Sequence, residues 1–254
     1  MRRLPRRLQY GEEATLVEHL EELRWRIFVV LGALVVATIV AFVFHGSIID
    51  WLNRPLPAGH RRLLTIGVAE PFTVTLTVCV YAALVLTLPV SLWQMWEFFA
   101  PSFDPKAERK VLWLVLAAAA LGACGIAFSY FIVLPRAIHW LTTWDTHHFV
   151  VLIQAKSYYS FVVTIMLGMT LVFELPLVVL GLVAIGVLTS TRLRKNRRIG
   201  YFIVAVVALG LPGPDIYTTF LELIPMWVLF EGSIWLAWWF ERRQAKTVPA
   251  TLPG

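Results

Sequence analysis

Six stretches of this 254-residue chain carry almost no charge over lengths that no water-soluble fold requires. Residues 27–44, 71–96 and 111–135 contain no Asp, Glu, Lys or Arg. The run 157–187 is interrupted only by Glu174, 199–211 is uncharged, and 217–240 is broken by Glu222 and Glu231. A helix rises about 1.5 Å per residue and a bilayer's hydrocarbon core is about 30 Å thick, so about 20 such residues cross it. The pattern reads as an all-α integral membrane protein with six transmembrane helices, which puts both termini on one side. Composition agrees: 59% of residues are apolar and 15% charged, against roughly 45–50% and 25% in soluble domains. A globule with so few charges would expose an apolar surface and aggregate. An ordinary soluble enzyme, a disordered chain and a nucleic-acid-binding domain are thereby excluded.

The net charge of +6 is explained by topology. If the N-terminus is cytoplasmic, seventeen of the 22 Lys and Arg residues fall on the cytoplasmic face: in the N-terminal arm, the loops after spans two and four, and the tail. The periplasmic face keeps Arg54, Arg61, Arg62, Arg136 and Lys156. That asymmetry is the positive-inside rule. Arg2-Arg3 and Arg6-Arg7 ahead of an apolar run invite a cleaved-signal reading. An acidic stretch at 12–22 separates the two, and the run lacks a small-x-small cleavage site, so the first span is read as permanent. The expected organisation is a cytoplasmic arm with an interfacial helix over 1–26, one membrane domain over 27–240, and a cytoplasmic tail over 241–254.

Run 199–211 predicts a helix of about 20 Å, short of the hydrocarbon thickness. It ends at Pro212-Gly-Pro-Asp215, a breaker cluster. Spans five and six are therefore expected as a short hairpin that requires local bilayer thinning. Pro89, Pro176 and Pro225 predict kinks. Two polar segments, 46–70 and 136–156, are expected as periplasmic caps. Cys79 and Cys124 lie in apolar runs without metal or disulfide spacing, and both read as packing residues.

The scarce acids carry most of the information. In His19-Leu-Glu-Glu-Leu-Arg-Trp-Arg26, helical spacing makes Glu22 and Arg26 neighbours, and likewise Glu21 and Arg24. One reading is an interfacial helix end with surface ion pairs; the other is Glu22 as the receptor of a cationic ligand. Glu108 sits where Pro105 would start a helix, a favoured place for a carboxylate, or it joins Glu22 in clamping a guanidinium pair. Glu174 lies mid-span before Leu175-Pro176, where a carboxyl is costly and faces a cavity or a partner. Glu70 before Pro71 reads as a helix-start signal. Glu222 and Glu231 are nine residues apart and face opposite sides of one helix. His147-His148 near Asp145 lacks a further ligand for a metal. No nucleophile–base pair, phosphate loop or dinucleotide fingerprint is present, so neither an enzyme nor a cofactor is expected.

These motifs together resemble one family. The segment His19 to Arg26, Glu70-Pro-Phe72, Trp93-Gln-Met-Trp-Glu-Phe-Phe-Ala-Pro101, Glu108-Arg109, Phe173-Glu-Leu-Pro176, Pro214-Asp215, Ile224-Pro225 and Phe230-Glu231 are similar to the TatC family of the twin-arginine translocase, from about residue 16 to 240. The resemblance implies a bowl-like helix bundle in the bacterial inner membrane. It implies the receptor of a machine that exports folded proteins using the proton-motive force, working with the single-helix proteins TatA and TatB and with further copies of itself. It places recognition of an arginine pair in the substrate's signal peptide on Glu22 and Glu108, with His19, Glu21, Arg24 and Arg26 around them. Glu174 matches the family's intramembrane acid, and Pro212, Asp215, Thr219 and Glu231 fall on the edge that docks partner helices. The chain departs from the family at that edge: Pro212-Gly-Pro-Asp215 stands for Thr-Pro-Pro-Asp, and Thr218-Thr219 for Ser-Gln. From the residues themselves, a proton-coupled secondary transporter using Glu174 is the rival reading, although the two halves lack the matched broken helices of such folds.

Overall fold

In hydrocarbon every backbone N–H and C=O must find its partner within the chain, which is why long apolar runs become helices. The computed structural model describes residues 16–57, 63–99, 108–145, 147–148, 151–184, 186–211 and 216–247. Span one is α1 (Leu16–Val43), followed by the periplasmic helix α2 (His45–Asn53). Span two is α3 (Glu70–Phe99). Span three runs through α4 (Glu108–Phe128), a π-helical turn (Ser129–Val133) and α5 (Leu134–Thr143). Span four is α6 (Ala155–Phe173) with α7 (Leu175–Ala184). The short α8 (Ser190–Lys195) leads to α9 (Arg197–Gly210) and α10 (Ile216–Thr247), spans five and six. Five of the six spans are long and apolar enough to cross a membrane. The exception is α9, whose 14 residues reach about 21 Å.

Three expectations are refined. First, α1 is continuous from Leu16, so the segment from His19 to Arg26 and the apolar run after it form one unbroken helix. Second, the arms of the last hairpin are unequal, because α10 has 32 residues. The first turn of α9 meets only the middle of α10, where Gly200 abuts the Phe230 ring and Arg197 pairs with Glu231. Beyond that level α10 packs on α7 through Ala237, Val179 and Val183, and on α8, whose Ser190 donates to Glu241 from its backbone N–H and hydroxyl. Arg194 of α8 lies over Trp235 and Trp238. From Tyr217 to Trp238 is about 32 Å of helix, so α10 by itself is long enough to cross the hydrocarbon core, while α9 is as short as its uncharged run predicts. Third, Cys79 is buried as a packing residue, but Cys124 is exposed.

The prolines act unequally. Pro176 lacks the N–H that would reach back to Val172, and the helix breaks two residues earlier at Glu174, the C-cap of α6. Pro135 likewise deprives Phe131, and the turn just before it widens to π geometry, with the Leu134 N–H donating to Ser129 C=O. Pro89 and Pro225 sit inside unbroken helices.

The spans pack in a chain of neighbours: α1 on α3, α3 on α4 and α6, α4 on α6, and α10 on α7 and α9. Helix α6 supplies the centre, with Val162, Ile165 and Met169 fully buried. Over its periplasmic end sits a cap built from both polar segments. Tyr130, Tyr158 and Tyr159 donate to the Trp51 carbonyl (2.8 Å), the Leu52 carbonyl (2.6 Å) and Asn53 Oδ1 (2.9 Å), fixing the end of α2. Leu64 and Gln154 form a two-residue bridge between the segments. Glu70 closes it: one carboxylate oxygen accepts the Ile66 and Gly67 N–H groups at 2.8 and 3.1 Å, and the other accepts Gln154 Nε2 and the Lys156 N–H at 2.9 and 3.3 Å.

Candidate functional site

At the cytoplasmic end of α1, Glu22 and Arg26 occupy one face, as their spacing requires. Arg26 Nε donates to Glu22 Oε1 at 3.1 Å and its Nη2 donates to the same oxygen. Arg26 Nη1 reaches across to α3 and donates to Gln94 Oε1 at 3.2 Å. One guanidinium therefore orients the carboxylate and staples two spans. The other oxygen, Glu22 Oε2, is buried and accepts no hydrogen bond among the described residues. A carboxylate has about four lone-pair sites and its strongest partners are charged donors, so this oxygen is the unused half of an acceptor held in fixed orientation.

Arg24 does not support Glu22 in this way; its guanidinium lies 5.6 Å from the centre of the Phe28 ring, on the exposed side of α1. Glu21 is exposed. His19 lies within α1 and Glu108 is the first residue of α4, but their side chains fall outside what the structure describes. Beside the Glu22–Arg26–Gln94 network, Leu23, Ile27 and Val30 of α1 face Ser91, Gln94 and Met95 of α3 across an apolar groove of about 400 Å³.

Glu174 stands apart from this network, at the break between α6 and α7. It is 5% exposed. Its carboxyl presses on α4 so closely that a Cβ placed on Gly122 would lie 3.2 Å from Oε1. Oε2 is buried without a hydrogen-bond partner among the described residues. The nearby Thr170 hydroxyl donates to the Met166 carbonyl at 2.6 Å. Glu174 is thus buried at the α6–α7 break, with its carboxyl against Gly122 of α4.

On the last hairpin, Glu231 turns inward to α9. It accepts from the Tyr201 hydroxyl and pairs with Arg197 at 3.1 Å. Thr219 is half-buried and Thr218 and Glu222 are fully buried in α10. Pro212 and Asp215 lie outside the described residues. His148 Nδ1 lies 2.7 Å from Asp145 Oδ1 at the exposed end of span three, and among the described residues no group of three metal-ligating side chains gathers there or elsewhere.

Sequence reasoning missed the contacts that Gln94, Glu70 and the Gly122–Gly125 pair make to other elements. Gln94 is a polar residue within an otherwise apolar helix end, and its position beside Trp93 was the available signal. Glu70 read as a helix start, because the second peptide segment it binds lies more than eighty residues away. Gly122 and Gly125, three apart in α4, form a small-residue face that admits α6 and Glu174.

With this geometry in hand, comparison with known proteins is direct. The family model described as Sec-independent protein translocase protein (TatC) matches residues 18–225. The Sec-independent protein translocase protein TatCd of Bacillus subtilis is 38% identical over 227 residues, covering 89% of this chain and 92% of that one. The TatC protein of Carboxydothermus hydrogenoformans is 32% identical over 224 residues, covering 88% and 92%. A crystal structure described as the twin arginine translocase receptor TatC superposes with a TM-score of 0.76 at 29% identity, over 86% of this chain and 97% of that one. A second, in DDM, gives 0.78 over 86% and 99%. The chain therefore belongs to the TatC family of Sec-independent protein translocases, as a multi-pass protein of the bacterial inner membrane that serves as a translocase component and not as an enzyme.

Proposed function

We propose that this protein is the receptor for twin-arginine signal peptides, with Glu22 as the acceptor for one guanidinium and Glu108, at the start of α4, as its counterpart. The observation that carries the reading is the half-used carboxylate of Glu22: one oxygen is anchored by Arg26 and the other is left without a partner among the described residues. A carboxylate and a guanidinium at about 4 Å attract by about 4 kcal/mol at an effective dielectric of 20. A fully exposed pair would retain only about 0–1 kcal/mol, so the shelter around Glu22 is what makes it useful. After charge recognition, the peptide's apolar segment inserts beside Glu174. That step requires α4 and α6 to part, because the carboxyl is enclosed against Gly122.

TatA- and TatB-type single-helix proteins dock along the outer face of α9, where Phe202, Ile203, Val206 and Leu209 are exposed apolar side chains, and further copies of the chain join the complex. Transport is driven by the proton-motive force. Family membership places the chain among protein translocases, which removes the ground for reading Glu174 as the proton site of a solute transporter.

The test is photo-crosslinking of a twin-arginine peptide to membranes holding the complex. Glu22→Lys and Glu108→Lys should each abolish the adduct. Glu22→Gln, which keeps the shape and removes the charge, should weaken it strongly at unchanged melting temperature. Retained crosslinking in both reversed variants would overturn the clamp.

A further inference from the structure

Arg136 is one of the five basic residues that the charge count leaves on the periplasmic face, and it is built into a cavity rather than a free loop. The cavity, about 650 Å³, lies between α5 and the first turn of α10 and is lined by Phe131, Pro135, Arg136, His139, Trp140 and Tyr217. Arg136 Nη1 donates to the Ile132 carbonyl at 3.0 Å, which holds the arm along its own helix. The remaining guanidinium N–H groups meet no acceptor among the described residues. His139, three residues on, presents its imidazole on the same helix face. Trp140 stacks on Tyr217 with ring centres 5.3 Å apart, bringing the ends of spans three and six to one level. Paired Trp and Tyr rings of this kind mark the boundary between headgroups and hydrocarbon.

Below the cavity, α10 presents Tyr217, Phe220, Ile224 and Val228, all exposed and apolar in body, on one face. From Tyr217 to Val228 that stripe runs about 16 Å, close to half of a hydrocarbon core of about 30 Å. The cavity offers a cation and an imidazole at its mouth, and an apolar track one leaflet deep lies beneath it. A soluble anion would satisfy the first and leave the second bare. We propose that this is a binding site for a single phospholipid of the periplasmic leaflet. Its phosphodiester is held by Arg136 and His139, its glycerol region lies against Trp140 and Tyr217, and one acyl chain follows Phe220, Ile224 and Val228.

Native mass spectrometry of the purified protein, titrated with phosphatidylglycerol, tests the site. Wild type should show one binding event tighter than all later ones. Loss of a charged donor to phosphate weakens such a contact by about tenfold or more, so Arg136→Gln should weaken the first event by that factor while Lys156→Gln leaves it unchanged. Phe220→Ser should weaken it as well. Diacylglycerol, which lacks the phosphate, should bind no more tightly than the later, non-specific lipids, and millimolar inorganic phosphate should fail to displace the phospholipid. An Arg136→Gln protein that binds the first lipid as tightly as wild type would overturn the proposal. Equal binding of diacylglycerol would overturn it too, as would displacement by inorganic phosphate, which would make the site one for a soluble anion.

Discussion

Replacing Gly125 by alanine tests whether the close approach of α4 and α6 holds this bundle together. A Cβ on Gly125 would lie 2.9 Å from Thr170 Cα, 3.0 Å from the Met169 carbonyl oxygen and 3.2 Å from Phe173 Cβ. Carbon atoms pack best at about 3.5–4.0 Å, so the two helices must separate by about 0.5–1 Å. Two of the three obstacles are backbone, which cannot rotate aside. Overpacking of this kind costs about 1–3 kcal/mol, and the better helix propensity of alanine returns at most about 1 kcal/mol. The expected net loss is up to about 3 kcal/mol, with a midpoint of about 1–2 kcal/mol. At about 2–4 °C per kcal/mol for a chain of this size, the melting temperature should fall by about 2–8 °C. Gly32 in α1 is the internal control, because among the described residues nothing beyond its own stretch of helix lies within 4 Å of a Cβ placed there, and Gly32→Ala should melt at or above wild type. Both variants are to be melted in the same detergent at one scan rate, followed by tryptophan fluorescence and gel filtration, since such unfolding is commonly irreversible. A Gly125→Ala protein that melts at or above the Gly32→Ala protein would refute the reasoning. It would mean that the α4–α6 contact, and the enclosure of Glu174 that depends on it, is loose.

Two further outcomes are expected. Arg26→Ala should lower both twin-arginine peptide crosslinking and the melting temperature, because it frees Glu22 and unpins α1 from Gln94 of α3; Arg26→Lys should restore little of either, since a single ammonium nitrogen lacks the planar fork of spaced nitrogens that reaches Glu22 and Gln94 together. Glu70→Gln should speed amide hydrogen exchange at Ile66, Gly67 and Lys156, whose N–H groups the carboxylate accepts, and leave the Arg26 staple unchanged; unaltered exchange at all three would show that the periplasmic cap holds without it.

Much of the architecture was legible in the chain itself. All six spans form where uncharged length demanded them, since a bilayer leaves an apolar run no alternative to the helix. The pairing of Glu22 with Arg26 followed from helical spacing, and so did the placement of Glu222 and Glu231 on different faces of α10. What spacing could not show was distance between elements. Arg26 finds Gln94 across 68 residues, Tyr158 finds Leu52 across 106, and Glu70 finds Gln154 across 84. No local pattern encodes such contacts. The unequal hairpin was misread for a related reason: charges at Arg242 and Arg243 and the glutamates within span six obscured how far α10 continues along α7 and α8.

The sequence alone determined the solvent, the number of crossings, their orientation and the family, because each follows from quantities additive along the chain: apolar length, charge on either side, and residues in order. The tertiary structure decided which acids are available and to what. It gave Glu22 one oxygen held by Arg26 and one without a partner among the described residues, set Glu174 against Gly122 of α4, turned Glu231 inward to Tyr201 and Arg197, and made Glu70 the clasp of the cap. A carboxylate's role in a membrane depends on the donors within about 3 Å of it, and those come from other helices.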